Sequence, residues 1–422
     1  MKQGKWIVFL MIVAHVKLSV GRSSDGTAAT NFVIDEEDGL LETTELIQKY
    51  GYRTESHEVI TEDGYILALT RILRQNGTRP DTLPLLLVHG LFASSADFVI
   101  IGPNNSLAYL LTDRGYDVWL VDLRGNRYSS RHTHLHPDSR AYWNFTWHEM
   151  GYYDLPATID RILEVTGTSQ LYYVGYSQGG TAFFVMATSR PEYNRKIARM
   201  YALSPAVFVQ HVRSPIFRFL IANSDTVECL LDILGMWKVL PHNAAQYRIS
   251  RALCPLHDPD TVCIKMIGLL VGPNPNGTDT VAQHVIAGHN PSGASSKQLV
   301  HFVQMHQTGR FQQFDYGRRD ANRAHYGADE PPVYKLTAAT APVSVFYGLN
   351  DWMVGPANIK RLARTIPNLV METAVDDQHF NHLDFILSRR VRTLVYEKIL
   401  HDLNASKATH LGQAPEDGEN LL

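Results

Sequence analysis

From Glu55 onward the chain alternates between short apolar runs and longer stretches with helical spacing. "HEVITEDGYILALTRIL" holds two β-rich runs around Glu62, Asp63 and Gly64, a strong turn signal, and predicts a hairpin. "LPLLLVHG" is apolar up to His89-Gly90, the pattern of a strand covered on both faces. "SLAYLLTDRGYDVWLVDLRGN" predicts a helix, a turn at Gly115 and a second buried strand from Asp117 to Val121. "DLPATIDRILEVTG" predicts a helix with Asp154 as N-cap, Pro156 in the first turn and Gly167 just past its end. "QLYYVGYSQGGTAFFVMATS" reads as strand, glycine-flanked turn, helix. This alternation predicts βαβ units and a parallel sheet.

The rhythm changes near Phe208. Helical stretches dominate from there to Lys335, broken by loops such as "GPNPNGTD" and "GHNPSGASS". "APVSVFYGLND" then returns as a buried strand, and "NLVMETAVDDQHFNHLDFILSRR" predicts strand, loop and helix. The economical reading is an α/β core over 22–207 and 336–404, interrupted by a helical insertion at 208–335. The polar, aperiodic end, 405–422, is expected to be disordered.

The N-terminus adds a compartment. Lys2 and Lys5 precede an apolar run from Trp6 to Ala14, and Ser19 and Gly21 suit a cleavage site. Residues 1–21 therefore read as a secretory signal peptide, too short in its apolar run to span a bilayer comfortably. No later run predicts a transmembrane segment. N-glycosylation sequons stand at Asn76, Asn104, Asn144, Asn276 and Asn404, in keeping with an extracellular or lysosomal destination. In an oxidising compartment the three cysteines favour one bridge. Cys254 and Cys263, close together across a turn-forming segment, are preferred over pairs with Cys229. A formal charge of −3 with mixed signs along the chain gives no reason to expect nucleic acid.

The chemistry starts at "GYSQG", Gly175 to Gly179. G-x-S-x-G is weak alone, but here it follows an apolar strand and opens a helix, as a nucleophile elbow requires. The helix N-terminus offers N–H groups to a developing oxyanion. On an α/β-hydrolase fold the acid and then the base follow Ser177 in the chain. Asp351, just past "APVSVFYGLN", is the acid expected; Asp315, Asp329, Asp376 and Asp377 are less well placed. The base should follow the last strand, where His379 and His382 both qualify by position. Expected oxyanion donors are the backbone N–H groups of Gln178 and of Leu91, which follows His89-Gly90. His89 itself reads as structural. "RHTHLHPDSR", with His132, His134 and His136, reads as a solvated loop rather than a metal site. No H-E-x-x-H or CxxC frame occurs, and neither metal nor cofactor is expected.

Beyond the elbow, "VHGLFASSADF", "DVWLVDLRGNRYSSRH", "YDLPATIDRIL", "GHNPSGASSKQLVHFVQMHQTGRFQQFDYG", "GLNDWMVGP" and "NHLDF" together resemble the acid lipases, a family that includes gastric and lysosomal acid lipases and related insect lipases. The resemblance implies a triad of Ser177, Asp351 and His382, donors at Leu91 and Gln178, and a cap bearing a lid. It also implies a disulfide matching Cys254–Cys263, and hydrolysis of triacylglycerols or cholesteryl esters at a lipid–water interface without a cofactor. Two departures stand out. "GYSQGG" has Tyr176 where many members have His and Gly180 where many have Thr, and His379 beside the base is less usual. Two other readings are carried: an esterase for small soluble esters, and a secreted lipid carrier without catalysis. The carrier should have lost a triad member, and none is lost.

Overall fold

The computed structural model describes residues 36–74, 82–224, 226, 233–243, 248, 262–275, 277 and 280–410. The strands in chain order are β1 (Arg53–Ile60), β2 (Tyr65–Leu73), β3 (Pro84–Val88), β4 (Asp117–Asp122), β5 (Arg131–His132), β6 (Leu171–Tyr176), β7 (Ile197–Leu203), β8 (Lys238–Val239), β9 (Ala294–Ser295), β10 (Val343–Tyr347) and β11 (Leu369–Ala374). Nine of them form one sheet in the order β1-β2-β4-β3-β6-β7-β10-β11, with β5 added to β2. β1 and β2 pair as the antiparallel hairpin that the turn signal predicts, with Gly64 at φ 94° between them. β2 lies antiparallel to β4, and the pairs from β4 through β11 are all parallel.

The wholly apolar runs follow from two covered faces. Successive side chains point to opposite sides of a strand. Leu86, Val88, Trp119 and Val121 enter one core, where Ile159, Ile162, Phe183 and Phe184 of the helices Leu155–Thr166 and Gln178–Ser189 pack. Leu85, Leu87, Val118 and Leu120 enter the other, against Leu107 and Leu111 of the helix Leu107–Asp113 and Ile399 and Leu403 of the last helix. Each such buried side chain contributes roughly 1.5–3 kcal/mol. A strand with one polar face could not fill both layers.

One local expectation is corrected. Asp154 does not cap the helix Leu155–Thr166: it has helical φ and ψ and no capping bond. The chain is already helical from Trp147, through a π-helical turn at Met150–Asp154. Thr146 is the cap, in a capping box with Glu149. The Asp154 carboxylate instead accepts from the buried Arg124 guanidinium at 2.8 Å, and Arg124 also reaches Asp63 at 2.8 Å. A buried arginine needs such partners more than a helix needs a cap. Gly167 ends the helix in the left-handed conformation, as expected.

Between β7 and β10 the described chain is mainly helical: Pro215–Ala222, Val262–Val271, Thr280–His289, Ser296–Thr308 and Arg319–Tyr326. The short ribbon β8–β9 lies within it. The last helix, Glu397–His410, continues past 404, where disorder is expected to begin. The signal segment, Asn76, Asn276, Cys229 and Cys254, and with Cys254 the expected disulfide to Cys263, lie outside the described residues. Among the described sequons, Asn104, Asn144 and Asn404 are all exposed.

Candidate active site

β6 ends at Tyr176 and the next helix begins at Gln178, so Ser177 alone makes the turn. It does so at φ 51° and ψ −114°, a conformation that costs an L-residue about 1–3 kcal/mol. The turn fits because its flanks lack side chains. A Cβ on Gly179 would overlap the Val88 carbonyl oxygen of β3. One on Gly180 would lie 2.6 Å from Pro205 Cβ, so even a methyl group there would force a neighbour to shift. The Ser177 N–H is held by the Leu203 carbonyl at the end of β7, at 2.9 Å.

Asp351 and His382 reach Ser177 from different strand ends. Asp351 follows β10 and is fully buried. Its Oδ1 accepts the N–H groups of Met353 and Val354 at 2.8 and 2.7 Å, and its Oδ2 faces His382 Nδ1 at 2.7 Å. His382, in the loop after β11, is 2 % exposed, and its Nε2 lies 2.8 Å from Ser177 Oγ. A carboxylate only accepts, so the imidazole proton sits on Nδ1 and Nε2 is free to accept the serine hydroxyl. The Tyr176 hydroxyl donates to the His382 backbone carbonyl at 3.0 Å, so Tyr176 pins the histidine loop.

The neighbours of His382 separate cleanly. His379 and Asp376 are exposed. Asp377 accepts from the His379 N–H and pairs with Arg390 at 3.0 Å. Asp384 is buried, accepts from Asn274 and from the Asn381 N–H, and is pushed up to about 6 by burial. Of the two histidines, His382 alone is hydrogen-bonded to Ser177 among the described residues.

Leu91 lines the same cavity as Ser177, and Gln178 is the first residue of the elbow helix. His89 braces the loop between. Its Nε2 accepts the Leu123 N–H at 3.1 Å, so its proton is on Nδ1, which donates to the Gly90 carbonyl at 2.8 Å. That carbonyl belongs to the peptide whose N–H is Leu91's, so a neutral, fully buried His89 sets the direction of the expected donor. Burial lowers its basicity and keeps it neutral. The far side of the loop is held from the helical segment: Ser292 N–H donates to the Phe92 carbonyl at 2.7 Å and Asn290 to Asp97 at 2.8 Å. Gln298 donates to the Gln178 side chain at 3.0 Å. Sequence reasoning did not assign these braces. Their only trace was the "GHNPSGASSKQ" motif, which carried the resemblance without a role.

Ser177 opens on a cavity of 370 Å³ lined by Leu91, Val209, Val212, Phe217, Leu220, Ile221, Leu299, Phe302, Val303 and Met353, with Ser224, Gln304, Gln307 and Asp315 adding polar atoms. Most of this wall belongs to the helices Pro215–Ala222 and Ser296–Thr308. His132, His134 and His136 do not converge on a shared ligand: both His132 ring nitrogens are used, one toward the Asp63 carbonyl and one by the His134 and Leu135 N–H groups. Among the described residues no group of three His, Cys, Asp or Glu side chains is placed to hold a metal ion.

A strained serine between a parallel sheet and a helix, facing a histidine held by a carboxylate, defines an α/β hydrolase. A family model described as "alpha/beta hydrolase fold" matches residues 84–227, and one described as "Partial alpha/beta-hydrolase lipase region" matches 43–102. Lipase 1 of Drosophila melanogaster is 41% identical over 372 residues, covering 87% of this chain and 81% of that protein. Human gastric triacylglycerol lipase is 34% identical over 370 residues, covering 87% and 92%. Human lipase member K is 35% identical over 363 residues, covering 85% and 90%. In fold, a soluble variant of monoglyceride lipase from Saccharomyces cerevisiae is similar at a TM-score of 0.50 and 15% identity, covering 83% of this chain and 96% of that one. The chain belongs to the acid lipase family and is a carboxylic ester hydrolase.

Proposed function

We propose that this lipase hydrolyses neutral-lipid esters, triacylglycerols or cholesteryl esters, in the secretory pathway or beyond it, through an acyl-enzyme on Ser177. The carrying observation is the unbroken hydrogen-bond chain Asp351–His382–Ser177 opening on an apolar cavity. His382 Nε2 takes the Ser177 proton as Oγ attacks the ester carbonyl. The N–H groups of Leu91 and Gln178 receive the oxyanion, each contributing on the order of 3 kcal/mol. Protonated His382 then gives its proton to the alkoxide oxygen as the C–O bond breaks. Asp351 holds the imidazole tautomer and stabilises its charge throughout. Water, deprotonated by His382, attacks the acyl-enzyme and releases the fatty acid and free Ser177.

Substrate class follows from the wall. The cavity holds the acyl chain, and the segment 208–335 acts as a cap whose apolar surface meets the lipid. Phe219, Leu234, Met236, Leu240, Met266 and Leu269 of that segment are all at least 43% exposed. Single exposed apolar residues mean little, but six in the segment that also supplies the cavity wall suit a surface that meets lipid. The same reading includes N-glycans at the sequons and the Cys254–Cys263 bridge. Fatty acid release from emulsified triolein tests it. No release, with Ser177 still labelled by a phosphonate, would move the reading to soluble esters; no labelling would leave a lipid carrier.

A further inference from the structure

Ser204 stands directly after β7, at φ 46°, in the left-handed region that L-residues other than Asn and Asp seldom enter. Its position ties the site together. The preceding carbonyl, of Leu203, holds the Ser177 N–H at 2.9 Å, and the Ser204 N–H donates to the Phe346 carbonyl of β10 at 2.8 Å. The Ser204 hydroxyl, fully buried, donates to Asp351 Oδ2. That is the oxygen that accepts from His382 Nδ1, while the two backbone N–H groups hold Oδ1. The four donors fill the acceptor positions of the carboxylate.

A glycine at 204 would relieve the backbone. The chain instead keeps a strained serine whose hydroxyl bonds the carboxylate beside His382. Strain retained next to a reacting centre points to a role there. We propose that Ser204 is a positioning residue for ester hydrolysis: its hydroxyl sets the rotation of the Asp351 carboxylate, so that Oδ2 stays in line with His382 Nδ1. This rests on the Ser177–His382–Asp351 reading. Without the hydroxyl, the carboxylate rocks about the Oδ1 anchored by Met353 and Val354, and the imidazole loses its fixed orientation.

The experiment compares Ser204→Gly, which removes hydroxyl and strain together, with Ser204→Ala, which removes the hydroxyl alone. kcat and KM are measured on p-nitrophenyl butyrate, with the folded fraction from thermal melting and the low-field proton resonance of imidazole Nδ1–H. The expected result in both variants is a fall in kcat of about 5- to 20-fold with KM within about twofold, in protein that remains folded. The Nδ1–H resonance should broaden and move upfield. An unchanged kcat, a loss of activity that only matches the unfolded fraction, or a sharp resonance left in place or moved to lower field overturns the proposal. Activity that survives in His382→Ala would sink the relay itself. Full activity in the Ser204 variants alone sinks only this inference.

Discussion

At the scale of single residues, two histidines three positions apart have opposite surroundings. His382 is buried between a carboxylate and a serine, while His379 is exposed beside its own loop. His382→Ala should lower kcat by about 10⁴-fold, the loss typical of a base that acts as a unit with its nucleophile. His379→Ala should leave kcat within about twofold. Steady-state kinetics on a soluble ester decide, and comparable losses in both variants would refute the assignment. Asp97 carries a second prediction. It is fully buried, and burial pushes its carboxyl up to about 7 from 3.8, with nearby Asp122 adding repulsion and only Asn290 opposing. The folded chain therefore holds a proton that the unfolded chain has released. The resulting stability is present at low pH and lost as pH rises through 7. Buried His289, pushed down to about 4 from 6.5, acts in the other direction, as do His57, His89, His148, His242 and His301, all lowered chiefly by burial; their opposing effect sets in as pH falls toward 6.5. Between pH 8 and 6.5 the Asp97 contribution should rise on acidification by about 0.8 kcal/mol. Melting curves of the wild type and of Asp97→Asn at the two pH values isolate it: acidification should favour the wild type over the variant by that amount, and an identical pH response in both would refute it.

At the scale of elements, the active site is a set of strand ends. β3 leads into the Leu91 loop, β6 into Ser177, β7 into Ser204 after its last residue Leu203, β10 toward Asp351 and β11 toward His382. Parallel order makes these ends adjacent at the carboxyl edge of the sheet. The close approach of the elbow helix to β3 depends on Gly179, where any Cβ would meet the Val88 carbonyl. Backbone oxygen cannot move aside as a side-chain tip can. Gly179→Ala should therefore cost more than 3 kcal/mol, roughly, by overpacking a rigid contact. A melting temperature lowered by less than about 2 °C would contradict that. The sheet itself was legible because apolar runs of five or six residues, bounded by turn signals and alternating with helical stretches, suit strands buried on both faces. The start of the helix Leu155–Thr166 was not. A proline and an acidic residue suggested a cap, and a buried arginine from another element, Arg124, claimed the carboxylate instead.

At the scale of the molecule, the α/β core carries Ser177, Asp351 and His382, and the helical segment supplies most of the cavity wall. Val303 lies on the helix Ser296–Thr308 and faces that cavity. Val303→Trp should shorten the space for an acyl chain. Hydrolysis of trioleoylglycerol should fall about tenfold or more relative to tributyrylglycerol, the loss of roughly 1.4 kcal/mol of selective transition-state binding. An unchanged ratio would place the acyl chain elsewhere. What the amino-acid order determined by itself was local and repetitive: the strand–helix alternation, the glycine-flanked serine, and a late loop rich in histidine and aspartate. These features depend on residues within a few positions of one another. Spacing left His379 and His382 both open, and the resemblance pointed to His382. The tertiary structure alone decided that the Tyr176 hydroxyl pins the loop of His382, and that Ser204, 147 residues before Asp351, shares the carboxylate oxygen bonded to His382. Hydrogen bonds form over about 3 Å of space whatever the separation along the chain. No local pattern records a partner that only the packing of β7 against β10 brings within reach.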